Sequence, residues 1–141
     1  NFVQDNESKS TKGVLRGLHY QLPPYTQAKL VRVIEGNVLD VAVDIRKSSP
    51  TFGQHVSLEL TAQNKHQLFV PHGFAHGFVV LSDSATFAYK VDNYYAPKHD
   101  RGIAFDDDPL KINWQLSAEE LQLSDKDRAN PSLANAKDLF E

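Results

Sequence analysis

The chain has 141 residues, 40% hydrophobic and 23% charged, with a formal net charge of -3, enough for one hydrophobic core and too few for two. With no cysteine, a disulfide scaffold, a thiolate zinc site and a thiol nucleophile are all excluded. No apolar run reaches membrane-spanning length and no basic cluster stands out, so neither a membrane nor nucleic acid is expected as a partner and the cytoplasm is the expected location.

The chain contains no methionine and opens on Asn1-Phe2-Val3-Gln4, so a segment upstream of residue 1 is expected. Residues 1–4 read as a short strand or the end of a connection. Asp5 to Gly13 reads as a polar, Ser/Lys-rich loop closed by a glycine turn. Strand signals then recur over 14–21, 29–34, 38–45, 55–60, 67–70, 77–81 and 85–91. Seven short strands separated by turns predict an all-β sandwich or barrel.

The first of these, Val14-Leu15-Arg16-Gly17-Leu18-His19-Tyr20-Gln21, carries an arginine and a histidine in an otherwise apolar strand. Burying such groups is costly unless they are paired or used. After the turn at Glu35-Gly36-Asn37, the residues Leu39, Val41, Val43 and Ile45 alternate with Val38, Asp40, Ala42 and Asp44. In an open sandwich the carboxylate face meets solvent; in a barrel with a polar interior Asp40 points at a site. Ser48 to Gly53 is a loop by its proline and glycine content.

His72-Gly73-Phe74-Ala75-His76-Gly77-Phe78 reads as a loop lining a pocket, its glycines allowing close backbone approach. His72 and His76 have the spacing of a helical metal pair, but the glycines argue against a helix. Tyr89 shares a strand face with Ala85, Phe87 and Val91, which suits core packing as well as a site. Asn93-Tyr94-Tyr95-Ala96-Pro97 ends regular structure. Asp106-Asp107-Asp108-Pro109 lacks the spaced ligands of a calcium loop and reads as a solvated turn. Capping signals at Ser117 and Ser124 predict one or two short helices outside the β core.

The polar residues so collected are Arg16, His19, Lys29, Asp40, His76, Tyr89 and Tyr95, with Asp127 from the tail. A metal cupin needs a second histidine close to His19, whereas Tyr20 and Gln21 follow it, so no metal is expected. Histidine, lysine and tyrosine instead suit proton transfer beside a carbonyl: a base, a cation for the developing enolate, and an acid on the opposite face.

Phe2-Val3-Gln4-Asp5-Asn6, Gly13 through Gln21, Lys29-Leu30-Val31-Arg32-Val33, Asp40 through Arg46, Pro71 through Phe78 and Tyr94-Tyr95-Ala96-Pro97 together resemble the dTDP-4-dehydrorhamnose 3,5-epimerase family, in order along the whole chain. The resemblance implies a cupin jelly roll with short C-terminal helices, a homodimer, no metal or other cofactor, and a dTDP-linked 4-keto-6-deoxy sugar as substrate. It implies His19 as the proton acceptor oriented by Asp127, Lys29 at the enolate and Tyr89 as the proton donor. It places Arg16 on the diphosphate, His76 on the sugar and Tyr95 against the thymine, with Gln4, Asp5, Asn6, Asp100 and Lys126 as further substrate contacts. It also implies an upstream segment, not present here, that supplies nucleotide contacts and joins the dimer. Two other readings stay open, a C3-only epimerase of the same family and a non-catalytic sugar-binding domain. Strict strand alternation puts Arg16 and His19 on opposite faces, so a site holding both requires a bulge at Gly17.

Overall fold

The computed structural model describes residues 1–141. Nine strands follow one another: β1 (Gln4–Thr11), β2 (Leu15–Gln21), β3 (Lys29–Glu35), β4 (Asn37–Asp44), β5 (His55–Thr61), β6 (Gln67–Val70), β7 (Phe74–Val80), β8 (Ser84–Val91) and β9 (Asp100–Gly102). They form two antiparallel sheets, ordered β1-β8-β3-β6 and β5-β4-β7-β2-β9, in a cupin-like jelly roll. No helix is long and apolar enough to cross a membrane.

Two apolar layers hold this arrangement. Between the sheets, Val31 and Val33 of β3, Val38 of β4, Phe78 and Val80 of β7, and Ala85 and Phe87 of β8 pack together, with Phe78 and Phe87 edge to face at 4.2 Å. A second layer lies on the outer face of the five-stranded sheet, where Leu15, Leu18, Tyr20, Leu39, Val41, Val43 and Val79 meet Leu110, Trp114 and Leu121 of the tail. Each large aliphatic side chain buried this way contributes about 1.5–3 kcal/mol.

The second layer decides the two open readings of β4. Its apolar face is covered by the tail, so its carboxylate face turns inward, and Asp40 and Asp44 are both buried. Asp44 staples the following loop, accepting hydrogen bonds from Arg46 Nε and Nη2 at 2.9 Å and from Ser49 Oγ at 2.6 Å. Those bonds hold its carboxyl far below the usual range. Asp40 is directed to a histidine of β7, described below.

Three expectations need correction. Asp5 to Thr11 is part of an eight-residue edge strand, β1, and not a loop: it pairs with β8 from Gln4 opposite Val91 to Thr11 opposite Ser84. Its sequence lacks strand formers, but an edge strand with one solvated face needs little more than its backbone pairing. The glycine-containing segment 72–78 is a loop only at its start, since β7 begins at Phe74. In the tail, Ser117 and Glu120 bond to each other at 3.1 Å without starting a helix. The α-helix present, α1 (Asp125–Arg128), is capped by Ser124, whose hydroxyl accepts from the Asp127 N–H at 3.1 Å. It packs against β2, at the mouth of the space between the sheets.

Candidate active site

The site begins with an irregularity in β2. Arg16 pairs with Phe78 and His19 with His76, so two residues of β2 oppose the single Gly77 of β7. This is a bulge, and it carries Gly17 at φ +140°. A Cβ on Gly17 would lie 2.7 Å from the Gly77 Cα, and one on Gly77 would lie 2.8 Å from the Arg16 carbonyl oxygen. Two glycines back to back are therefore what the crossing needs. The consequence is visible in the flanking residues: Leu15 and Leu18 both join the outer apolar layer, while Arg16 and His19 both line an inner cavity.

That cavity has a volume of about 580 Å³. Arg16, His19, Lys29, His76, Tyr89, Tyr95, Asp100, Lys126 and Asp127 all line it. Gln4, Asp5 and Asn6 do not. They sit on β1, and Asp5 and Asn6 border a smaller hollow of about 320 Å³ with Glu7, Arg32 and Lys90. Asp5 is there bonded to Lys90 at 2.7 Å.

His19 Nε2 lies 3.1 Å from Asp127 Oδ1. The second oxygen, Oδ2, accepts the Gly17 N–H at 3.2 Å. One carboxylate from α1 thus ties down both the bulge and the imidazole beside it. Burial alone would raise the Asp127 pKa, but the His19 ring, the Gly17 N–H and the Lys126 charge outweigh it and hold it below the ordinary value. An ionised Asp127 accepting from Nε2–H leaves Nδ1 as the basic nitrogen of His19.

Across the cavity stands Tyr89, carried by β8 of the other sheet. Burial raises its pKa, with Arg16 pulling the other way, so the phenol stays protonated. Lys29, on β3 beside it, places Nζ 5.8 Å from the Tyr89 ring centroid. Burial lowers the Lys29 pKa, and Asp40 and Asp100 oppose that change. His76 forms a second histidine–aspartate pair, its Nε2 only 2.6 Å from Asp40 Oδ1. Here burial lowers the histidine pKa despite the carboxylate, so His76 is neutral and donates Nε2–H to Asp40. At the mouth, Lys126 Nζ and Asp100 Oδ2 are 2.7 Å apart.

Chemically, a base on one wall and an acid on the other can take a proton from one face of a carbon and return one to the opposite face. A lysine beside the acid can stabilise the anion formed in passing. Ten further residues line the cavity that the sequence did not mark for the site, among them Gln21, Gln27, Gln122 and Ser124. Gln21 lies two residues beyond His19 on the same strand and so on the same face, a signal that was available. Gln27 belongs to a connecting loop, and nothing in its neighbours marks it.

A family model for dTDP-4-dehydrorhamnose 3,5-epimerase matches residues 1–135. The chain belongs to that family. The dTDP-4-dehydrorhamnose 3,5-epimerase of Shigella flexneri is 62% identical over 126 residues, covering 89% of this chain and 68% of the relative. That of Pseudomonas aeruginosa is 56% identical over 135 residues, covering 96% and 74%. Among solved structures, the dTDP-6-deoxy-D-glucose-3,5-epimerase of Legionella pneumophila in complex with dTDP-4-keto-L-rhamnose superimposes with a TM-score of 0.93 at 55% identity, covering 97% of this chain and 72% of that one. A 3'-monoepimerase from Streptomyces bikiniensis in complex with dTDP-quinovose has the same fold, at a TM-score of 0.89 and 35% identity over 96% of this chain and 68% of that one.

Proposed function

We propose that this epimerase inverts C3 and C5 of dTDP-4-dehydro-6-deoxy-D-glucose, giving dTDP-4-dehydro-L-rhamnose for dTDP-L-rhamnose synthesis. The observation that carries the reading is the opposition of His19, backed by Asp127 at 3.1 Å, and a protonated Tyr89 on the facing sheet. It occurs in a chain whose relatives at 56–62% identity are 3,5-epimerases.

In each half-reaction His19 Nδ1 takes the proton from the carbon next to the C4 carbonyl. The C–H electron pair moves into the ring, forming an enolate whose charge sits on the C4 oxygen, and Lys29 meets that charge. Tyr89 gives its phenolic proton to the opposite face of the carbon, the carbonyl reforms, and the centre is inverted. Arg16 takes the diphosphate, His76 a sugar oxygen, and Tyr95 the thymine face, with Asp100 and Lys126 at the entrance. General acid–base help contributes about 10²–10⁴-fold, and enolate stabilisation about 10²–10³-fold per donor. Gln4, Asp5 and Asn6 take no step within this cavity. A homodimer is part of the proposal, and light scattering of the purified chain checks it.

The test is proton NMR of the chain with its substrate in heavy water. Loss of both the C3 and the C5 proton signals, abolished in His19→Ala, is the expected outcome. Exchange at C3 alone would make the chain a 3-epimerase like its Streptomyces bikiniensis neighbour. No exchange at either position, with dTDP still bound, would make it a binding domain.

A further inference from the structure

Tyr95 is 60% exposed, so packing does little to hold its ring in place, although it lines the cavity. What does hold this segment is the side chain of Gln21, which is 3% exposed. Its Nε2 donates to the Tyr94 carbonyl at 3.1 Å, and its Oε1 accepts from the Ala96 N–H at 2.8 Å. The Tyr94 carbonyl belongs to the peptide group before Tyr95 and the Ala96 N–H to the one after it. A single amide therefore grips both peptide groups that flank the ring. The second Nε2 hydrogen goes to the Tyr25 carbonyl at 2.7 Å, in the loop between β2 and β3. With those three bonds the donors and the acceptor of Gln21 are all engaged.

The neighbouring contacts knit the same two loops together. Gln27 Nε2 donates to the Asn93 carbonyl at 2.8 Å, and Asn93 Nδ2 donates to the Pro24 carbonyl at 3.1 Å. Gln21 is the buried centre of this set, and it stands on the strand that carries His19, two residues further on. The catalytic strand and the tyrosine loop are thus joined by one side chain.

We propose that Gln21 is a positioning residue for the nucleotide: it presets the backbone on either side of Tyr95 so that the ring meets the base already in place. A ring left free would have to be ordered at each binding event, and that entropy is subtracted from affinity. The proposal rests on Tyr95 as the platform for the base. It predicts a residue that governs substrate affinity while leaving the proton transfers alone, although it neighbours the base in sequence.

The experiment compares Gln21→Asn, whose amide is one methylene too short to span both peptide groups, and Gln21→Met, which removes all three bonds, with Tyr95→Ala and the Gln21→Asn/Tyr95→Ala pair. Thermal melting of each variant confirms folding, and Gln21→Asn serves if the methionine variant does not fold. The expected result is a rise of about tenfold in both KM for the sugar nucleotide and the inhibition constant of dTDP, comparable to loss of a stacking contact. The kcat should hold within about twofold. In the Tyr95→Ala background the Gln21→Asn change should add nothing further. A fall in kcat at unchanged KM would overturn the proposal and tie Gln21 to His19, and an undiminished effect in the Tyr95→Ala background would overturn it too. If Tyr95→Ala alone leaves dTDP affinity unchanged, the platform itself is wrong and the proposal goes with it; if Tyr95→Ala weakens dTDP and Gln21→Asn does not, Gln21 alone is wrong.

Discussion

The cavity holds two histidine–aspartate pairs that look alike on paper and differ in construction. In His19–Asp127 the imidazole is 29% exposed and the carboxylate comes from the tail helix, 108 positions away along the chain. In His76–Asp40 the side chains are 7% and 0% exposed and sit on neighbouring strands β7 and β4. The first pair has a route for a proton to enter and leave. The second is nearly buried, only the ring of His76 reaching the cavity wall, with its histidine kept neutral by burial and one oxygen of its carboxylate, Asp40 Oδ2, without any hydrogen-bond partner. A pair that exchanges protons needs access and a carboxylate that stays ionised, whereas a pair that only holds a neutral ring toward the sugar needs a rigid bond and no proton route.

The largest effect expected from breaking this contrast is on turnover. His19→Ala should lower kcat by about 10³–10⁴-fold while dTDP binding, measured by calorimetry, stays near that of the parent. Asp127→Asn keeps the size of the side chain but removes its charge and loosens the hold on the His19 tautomer. A loss of about 10²-fold in kcat is expected, with KM little changed.

The buried pair should answer in stability as well. Asp40→Leu leaves the His76 Nε2–H buried without an acceptor, and a loss of about 1–3 kcal/mol is expected in urea unfolding. Asp40→Asn retains an acceptor and tests the charge alone. Asp40 opposes the lowering of the Lys29 pKa, so without its charge Lys29 should lose its proton at lower pH. The alkaline limb of the pH–rate profile should then move down, and an unmoved limb would show that Asp40 does not act on Lys29.

The pH dependence of stability separates the pairs further. His76 has a folded pKa below its ordinary value of 6.5, so the unfolded chain takes up its proton first. Its contribution is complete above pH 6.5 and is lost as the pH falls from there through the folded value. Asp127 is depressed below 3.8, so its contribution is lost only in the acid range beneath that. Thermal melting between pH 7 and pH 5 should show a decline in the parent that His76→Gln flattens and Asp127→Asn leaves in place.

Much of this was legible along the chain. The strands from Val14 to Val91 announce themselves by β-branched runs and glycine turns, and six of the seven expected segments begin within one residue of the strands observed. The bulge followed from a contradiction, since Arg16 and His19 could share a site only if Gly17 broke the alternation, and the pairing with β7 breaks there. β1 was not legible because a polar edge strand owes its form to β8 and not to its own side chains. The inward turn of Asp40 was undecided because the alternation of β4 reads the same whether or not its apolar face is covered.

By itself the sequence determined the family, the β architecture and the residue types of the chemistry, because hydrophobic periodicity, turn residues and long motifs are local properties of the chain. Tertiary structure decided that Asp40 serves His76, which face of β4 looks inward, and how Gln21 grips the loop around Tyr95. Those outcomes depend on segments far apart in the chain, such as Gly17 and Asp127, or Gln21 and Tyr94. They meet only because the tail folds over the outer sheet and the two sheets close on a shared interior, and no local pattern encodes that meeting.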